Sequence, residues 1–478
     1  MRKSVYLLLL LLISWQSYGK GIISFKISKP VCLLTFLLTA RGNPDMSPSF
    51  RAYIYNNIPR EDSTHFFQIV KEFSTIPLDY DYIIPDYPEN RKWPRTTFNL
   101  ISVAAVQAID VNDFMQRIIG ILPNEQWVKL KQVFANTEPL YDKMIGVPYA
   151  QATKKQLAAL EKFNGKTDSI FNELRSFYSS SWSDDIPVTV SIYPIPGTKD
   201  NTTATPHSNS IVLAVMTGEK NSAMSVSKAI HEMCHVLYGE QGLSVQQRLD
   251  SAFLQNKSIY SKYAYGYIDE ALATACGNGW AYKKLSGEQS AGSWYANEYI
   301  NGYGHAIYPL VAAYIEKGKA LDKAFVDSAI FLFEKKFPKA IYSYLNLLNK
   351  VTIYTDANDH EQFLSIISSV KHHFQMHRFY GTYPISDPQS ANLIDQSDET
   401  QLIIVHSNHE QNFKLLKNKF PQLKNTPVEK DGVYSFFDDK KRPVIIVNVK
   451  DVAMLDAALS MMAKTKEMDP DRIFTPLN

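Results

Sequence analysis

Residues 225–238 carry the apolar period of a helix, and inside that stretch stands His231-Glu232-Met233-Cys234-His235. The string fits H-E-x-x-H, and it constrains the local fold. Residues four apart share one helix face, about one turn from each other. On a helix, two imidazoles so spaced can aim their nitrogens at a single ion. Glu232 then sits beside that ion without binding it, where it can take a proton from water. With 11 histidines in 478 residues, chance would produce the string roughly 0.01 times. The competing reading is a buried helix with two satisfied histidines. Gly239 and Gly242 suit the end of this helix.

A zinc site of this type needs a third protein ligand and an open position. The metzincin solution would put Gly at 238 and His at 241, but the chain has Tyr238 and Gln241. The alternative is a carboxylate from a second helix. Asp269-Glu270-Ala271-Leu272-Ala273 opens a helical stretch some 35 residues after His235. Two adjacent side chains cannot both reach one point, and Glu reaches further than Asp. Glu270 is therefore preferred and Asp269 is its rival.

On these residues the chain resembles the gluzincin metallopeptidases, over roughly residues 187–310. Asp269-Glu270-Ala271-Leu272-Ala273 looks like the clan's N-E-G-F-A form. The resemblance implies one zinc ion held by His231, His235 and Glu270, with Glu232 as general base. It implies hydrolysis of a peptide or protein substrate by a zinc-activated water. It also implies an oxyanion donor beyond the third ligand. Tyr299-Ile300-Asn301-Gly302-Tyr303-Gly304-His305 is placed for this, with Tyr303 and His305 as candidates. Residues 210–215 would be the edge strand that pairs with an extended substrate, with a strand buried in a small sheet as the equal alternative. Thr274 stands where thermolysin-like members have Asp, and a threonine could still hydrogen-bond a ligand histidine. A zincin-like protein that binds without turnover is the alternative function, and the intact Glu232 argues against it.

The expected fold class is α+β: a predominantly helical zincin-like domain with a small sheet over residues 45–385, then a small α/β module over 400–478. Residues 41–60 read as an irregular lead-in and 62–182 as mainly helical, with a helical pattern over 151–182 in which Gly165 is a candidate break. The β-branched alternation of 187–194 and the run 210–215 predict strands. Further helices are expected near 266–286, 292–317, 319–334 and 337–352. After a linker near 386–399, the order strand, helix, strand, strand, helix marks the terminal module.

The N-terminus reads as an export signal. Arg2 and Lys3 precede an apolar run, residues 5–15, and Ser17 and Gly19 suit cleavage after position 19. A second run, 31–40, is a rival signal core, a short anchor or a buried segment. The expected location is therefore periplasmic, secreted or tethered to a membrane by the N-terminus alone. A net charge of +2 without a polybasic run gives no field for nucleic acid. Three cysteines exclude a disulfide-rich scaffold, though Cys234 and Cys276 would approach each other if the two ligand helices converge. His372, His373 and His377 read as a partly exposed polar helix face rather than a second metal site. Nothing in the sequence specifies an oligomeric state.

Overall fold

The computed structural model describes residues 22–82, 95–198, 202–424, 426 and 430–477. The expected signal segment, 1–19, lies outside the described residues. Helices account for 58% of the structure, beside two small mixed sheets, so the fold is predominantly helical α+β. The chain forms two compact units. The first runs to Ala252 and resumes over Asp269–Asp327; the second comprises Phe253–Ile268 and Ser328–Asn478.

The sheet of the first unit has four strands: β1 (Ile23–Ile27), β2 (Val188–Ile195), β3 (Ala204–His207) and β4 (Ser210–Met216). Their order is β1-β2-β4-β3, with β1, β2 and β4 mutually parallel and β3 antiparallel to β4. Every residue of β2 is buried, which suits its β-branched run to a central strand covered on both faces. β4 is paired on both sides, with Val190 opposite Ile211 and Thr205 opposite Val212. The expectation that 210–215 forms the edge is therefore corrected. The two-residue turn at Ser208 and Asn209, with Ser208 at φ 56°, folds β3 back onto β4 and makes β3 the edge.

The second apolar run is α1 (Lys29–Ala40), and Pro30 to Ala40 are all buried. Its threonines do not interrupt the apolar packing, because Thr35 donates to the Val31 carbonyl and Thr39 to that of Thr35. Val31, Leu33, Phe36 and Leu37 join Phe66, Phe114 and Phe134 in the core of this unit. Cleavage after residue 40 would remove β1 and this helix together, whereas a cut after Gly19 spares both. The lead-in also holds a helix, Pro48–Asn57, started by Ser47, whose hydroxyl accepts from the Phe50 amide.

In the second unit six strands form one sheet: β5 (Lys350–Thr355), β6 (Arg378–Thr382), β7 (Thr400–Val405), β8 (Gly432–Phe437), β9 (Pro443–Asn448) and β10 (Phe474–Pro476). The order is β10-β8-β9-β7-β5-β6. Alternate residues feed two cores: Val351, Ile353, Leu402 and Ile404 on one face, Tyr354, Ile403 and Val405 on the other. This sheet begins at residue 350, not at 400 as the sequence suggested. The helix expected over 337–352 is only the short turns Ala340–Tyr342 and Tyr344–Leu347, and β-branched Val351, Thr352 and Ile353 go into β5. The expected linker contains the helix Pro388–Gln396. Among the described residues, no helix is long and apolar enough to cross a membrane.

Replacing Leu37, 1% exposed, with Ala should cost about 2–5 kcal/mol of unfolding free energy in urea titration of the purified protein. An unchanged midpoint would mean that residues 31–40 are absent from the folded protein.

Candidate metal centre

The H-E-x-x-H segment lies on α2 (Ser222–Gly239), which follows β4 after a short turn. Asn221 caps it, its side chain accepting from the Met224 amide. The second helix, α3 (Ser261–Ala273), passes into a π-helical stretch, Thr274–Ala281. Gly277 of that stretch lies against α2: a Cβ built there would stand 2.7 Å from the His231 Cα. No side chain fits, so glycine sets the distance between the two segments. Gly304 does the same for the next helix, α4 (Glu298–Glu316), where a Cβ would fall 2.8 Å from the Thr274 Cγ2. The glycines of the Tyr299–His305 region thus serve close helix packing.

His231 Nε2 and His235 Nε2 lie 3.2 Å apart, and the Glu270 Oε2 is 3.6 Å from each. Both histidines are buried and the Glu270 side chain is largely so. Glu270 Oε2 is buried without a hydrogen-bond partner. Donors held at about 2.0–2.2 Å by a tetrahedral zinc stand roughly 3.3–3.6 Å from one another. The observed triangle and its orphaned carboxylate oxygen fit such an ion. Among the described residues, this is the one group of three or more His, Cys, Asp or Glu able to hold a metal ion.

The electrostatics agree with a cation site. Burial disfavours a charged His235, but Asp269 and Glu270 outweigh it and hold its pKa well above the ordinary histidine value. Burial likewise opposes a charged Glu270, yet His235 and His231 pull its pKa well below the usual carboxylate range. Positive charge among these three donors is favoured. Asp269, the rival ligand, takes an outer role, with its Oδ1 3.0 Å from His235 Nδ1. That contact fixes which ring nitrogen faces Glu270 and raises its basicity. Thr274 does not supply it: its hydroxyl is buried and without a hydrogen-bond partner.

Glu232, next to His231 on α2, is half-buried, and burial raises its pKa. The aromatic hydroxyl beside the cluster belongs to Tyr295, which the sequence reading missed. Its ring stacks over His231, with centroids 6.1 Å apart at 26°, and burial, with the charges of Glu270 and Glu232, raises its hydroxyl pKa. Tyr295 sits in a loop that periodicity does not mark. The loop is pinned by Asn301, whose Oδ1 accepts from the Trp294 amide at 2.7 Å and the Tyr295 amide at 3.3 Å. Asn278 also holds it, donating to the Trp294 carbonyl. The two expected oxyanion donors are used in packing. Tyr303 is wholly buried, with Tyr238 as its electrostatic neighbour, and His305 stacks on Trp294 at 3.7 Å.

Beneath the ligands, Cys234 and Cys276 are buried free thiols hydrogen-bonded to each other, and the Tyr178 hydroxyl donates to Cys276 Sγ. Burial pushes the Cys234 pKa well up, so it is no nucleophile. In the second unit, His373 pairs with Asp456 at 2.7 Å and His372 packs on His373 edge to face. Comparison with family models, curated proteins and solved structures finds no match to this chain.

Gly277→Ala should lower zinc affinity and thermal stability, measured by competition with a chelating dye and by calorimetry. A glycine held in a helix by nothing but propensity would instead gain up to about 1 kcal/mol on this change. Asp269→Asn should retain zinc with an affinity reduced roughly 10–100-fold. Glu270→Ala should lose stoichiometric zinc; retention by Glu270→Ala and loss by Asp269→Asn would reverse the two roles.

Proposed function

We propose that this chain is an exported zinc-dependent metallopeptidase. The observation that carries the reading is the convergence of His231 Nε2, His235 Nε2 and Glu270 Oε2, with Glu232 on the same helix. A zincin-like fold for the first unit is part of the proposal. A divalent zinc at the three donors would lower the pKa of water at the open position and polarise a substrate carbonyl. His231 and His235 hold their Nε2 atoms toward Glu270, and Asp269 fixes the His235 tautomer.

Glu232 removes a proton from the attacking water through its carboxylate and delivers it to the departing amine. Its raised pKa keeps the protonated form accessible for that second transfer. Tyr295, whose ring lies over His231, turns its hydroxyl to the carbonyl oxygen as negative charge develops there. The edge strand β3, which packs against α2, offers main-chain hydrogen bonds to an extended peptide. Export is supported by the basic start and apolar run of residues 2–15.

The test is zinc content by elemental analysis, followed by digestion of a mixed peptide library. About one zinc per chain is expected, with cleavage abolished by chelation. Glu232→Gln should keep the zinc and lose about 10²–10⁴-fold in rate. Tyr295→Phe should lose about 10²–10³-fold in kcat, while Tyr303→Phe leaves kcat unchanged. A zinc-loaded protein that cleaves nothing would leave a binding protein built on the same site.

A further inference from the structure

The second unit contains a cavity of about 110 Å³, remote in sequence from the H-E-x-x-H helix. Four charged side chains line it: Lys262 from the first turn of α3, Lys350 at the start of β5, and Asp398 and Glu399 just before β7. Among the described residues, none of the four forms an ion pair, although ten other acids and bases of this unit do. They sense one another across the gap. Asp398 acts on Lys262 and Glu399 on Lys350, each beyond contact distance. Asn346 also lines the cavity; it is 2% exposed, and its Oδ1 has no hydrogen-bond partner.

Such a wall asks for a ligand of a particular kind. A buried acceptor without a partner costs about 1–3 kcal/mol, and charges facing a small cavity lose part of their hydration. Paired lysines and acids would close the gap; here they leave it open. A multiply charged anion would meet Lys262 and Lys350 but also two carboxylates. A polyamine would meet the carboxylates but also two ammonium groups. A small molecule bearing one charge of each sign satisfies both walls. The volume is that of a few waters, each of which takes about 30 Å³ in the liquid, so it suits a single small residue rather than a peptide.

We propose that this cavity is a binding site for a free α-amino acid. The ligand carboxylate lies toward Lys262 and Lys350, and its ammonium toward Asp398 and Glu399. Burial and the neighbouring Arg378 lower the Lys350 pKa, so an arriving carboxylate is a favoured partner for its ammonium.

Isothermal titration calorimetry on the full chain tests this, with each proteinogenic amino acid in turn at up to millimolar concentration. Sodium acetate and methylammonium chloride serve as single-charge probes. One-to-one binding of at least one amino acid is expected, with neither single-charge probe binding measurably. Lys350→Gln and Glu399→Gln should each weaken binding at least about tenfold, with an unchanged circular dichroism spectrum. If Lys350→Gln does not fold, Glu399→Gln carries the comparison. Three results would overturn the proposal: no amino acid binds to folded wild type, acetate binds as well as the amino acids, or Glu399→Gln leaves the affinity intact.

Discussion

Two imidazole nitrogens and a carboxylate oxygen held within 3.6 Å of one another, largely out of water, cannot all be left as neutral or unpaired acceptors. Asp269 and Glu270 together favour positive charge among them. Much of the first unit follows from keeping that triangle small. The π-helical stretch passes close to α2 because Gly277 carries no side chain, and α4 closes on Thr274 because Gly304 carries none. Asn301 and Asn278 hold the loop that brings Tyr295 over His231. Asp269 turns His235 so that the correct nitrogen faces Glu270. Each of these residues acts on the donors through position rather than by contact with an ion.

The surroundings of the triangle are arranged by charge. Asp269 and Glu270 make a charged His235 favourable against burial, and the two histidines do the same for Glu270. For Glu232 burial outweighs the two histidines, and its carboxyl is easier to protonate than in water. The two carboxyls thus have opposite tendencies: Glu270 is held ionised and Glu232 is eased toward its protonated form.

Several features were legible from residue types and spacing. H-E-x-x-H on a helix places two imidazoles on one face whatever the surrounding fold, and Glu270 reaches further than Asp269. The strands at 188–195 and 210–216 and the helix Ser222–Gly239 follow from their periods. Other features were not legible, for identifiable reasons. An apolar run without charges reads alike as a signal core and as a core helix, and only its packing against Phe66 and Phe134 separates the two for residues 31–40. Tyr303 and Tyr295 are equivalent as sequence, and the loop geometry set by Asn301 decides which ring lies over His231. Residues 350–355 extend an expected helix in period but pair between β6 and β7.

The sequence by itself determined the donors: which histidines share a helix face, which acid is long enough to join them, and which acid stands beside them on the same helix. These are properties of local geometry, set within one or two turns of helix. Tertiary structure decided everything that depends on residues distant along the chain meeting in space. It made β3 rather than β4 the sheet edge, put Asp269 behind His235, brought Tyr295 to the cluster and buried residues 31–40. The physical reason is that backbone periodicity fixes the direction of a side chain within its own element, whereas the partner it meets is fixed by how closely elements can pack.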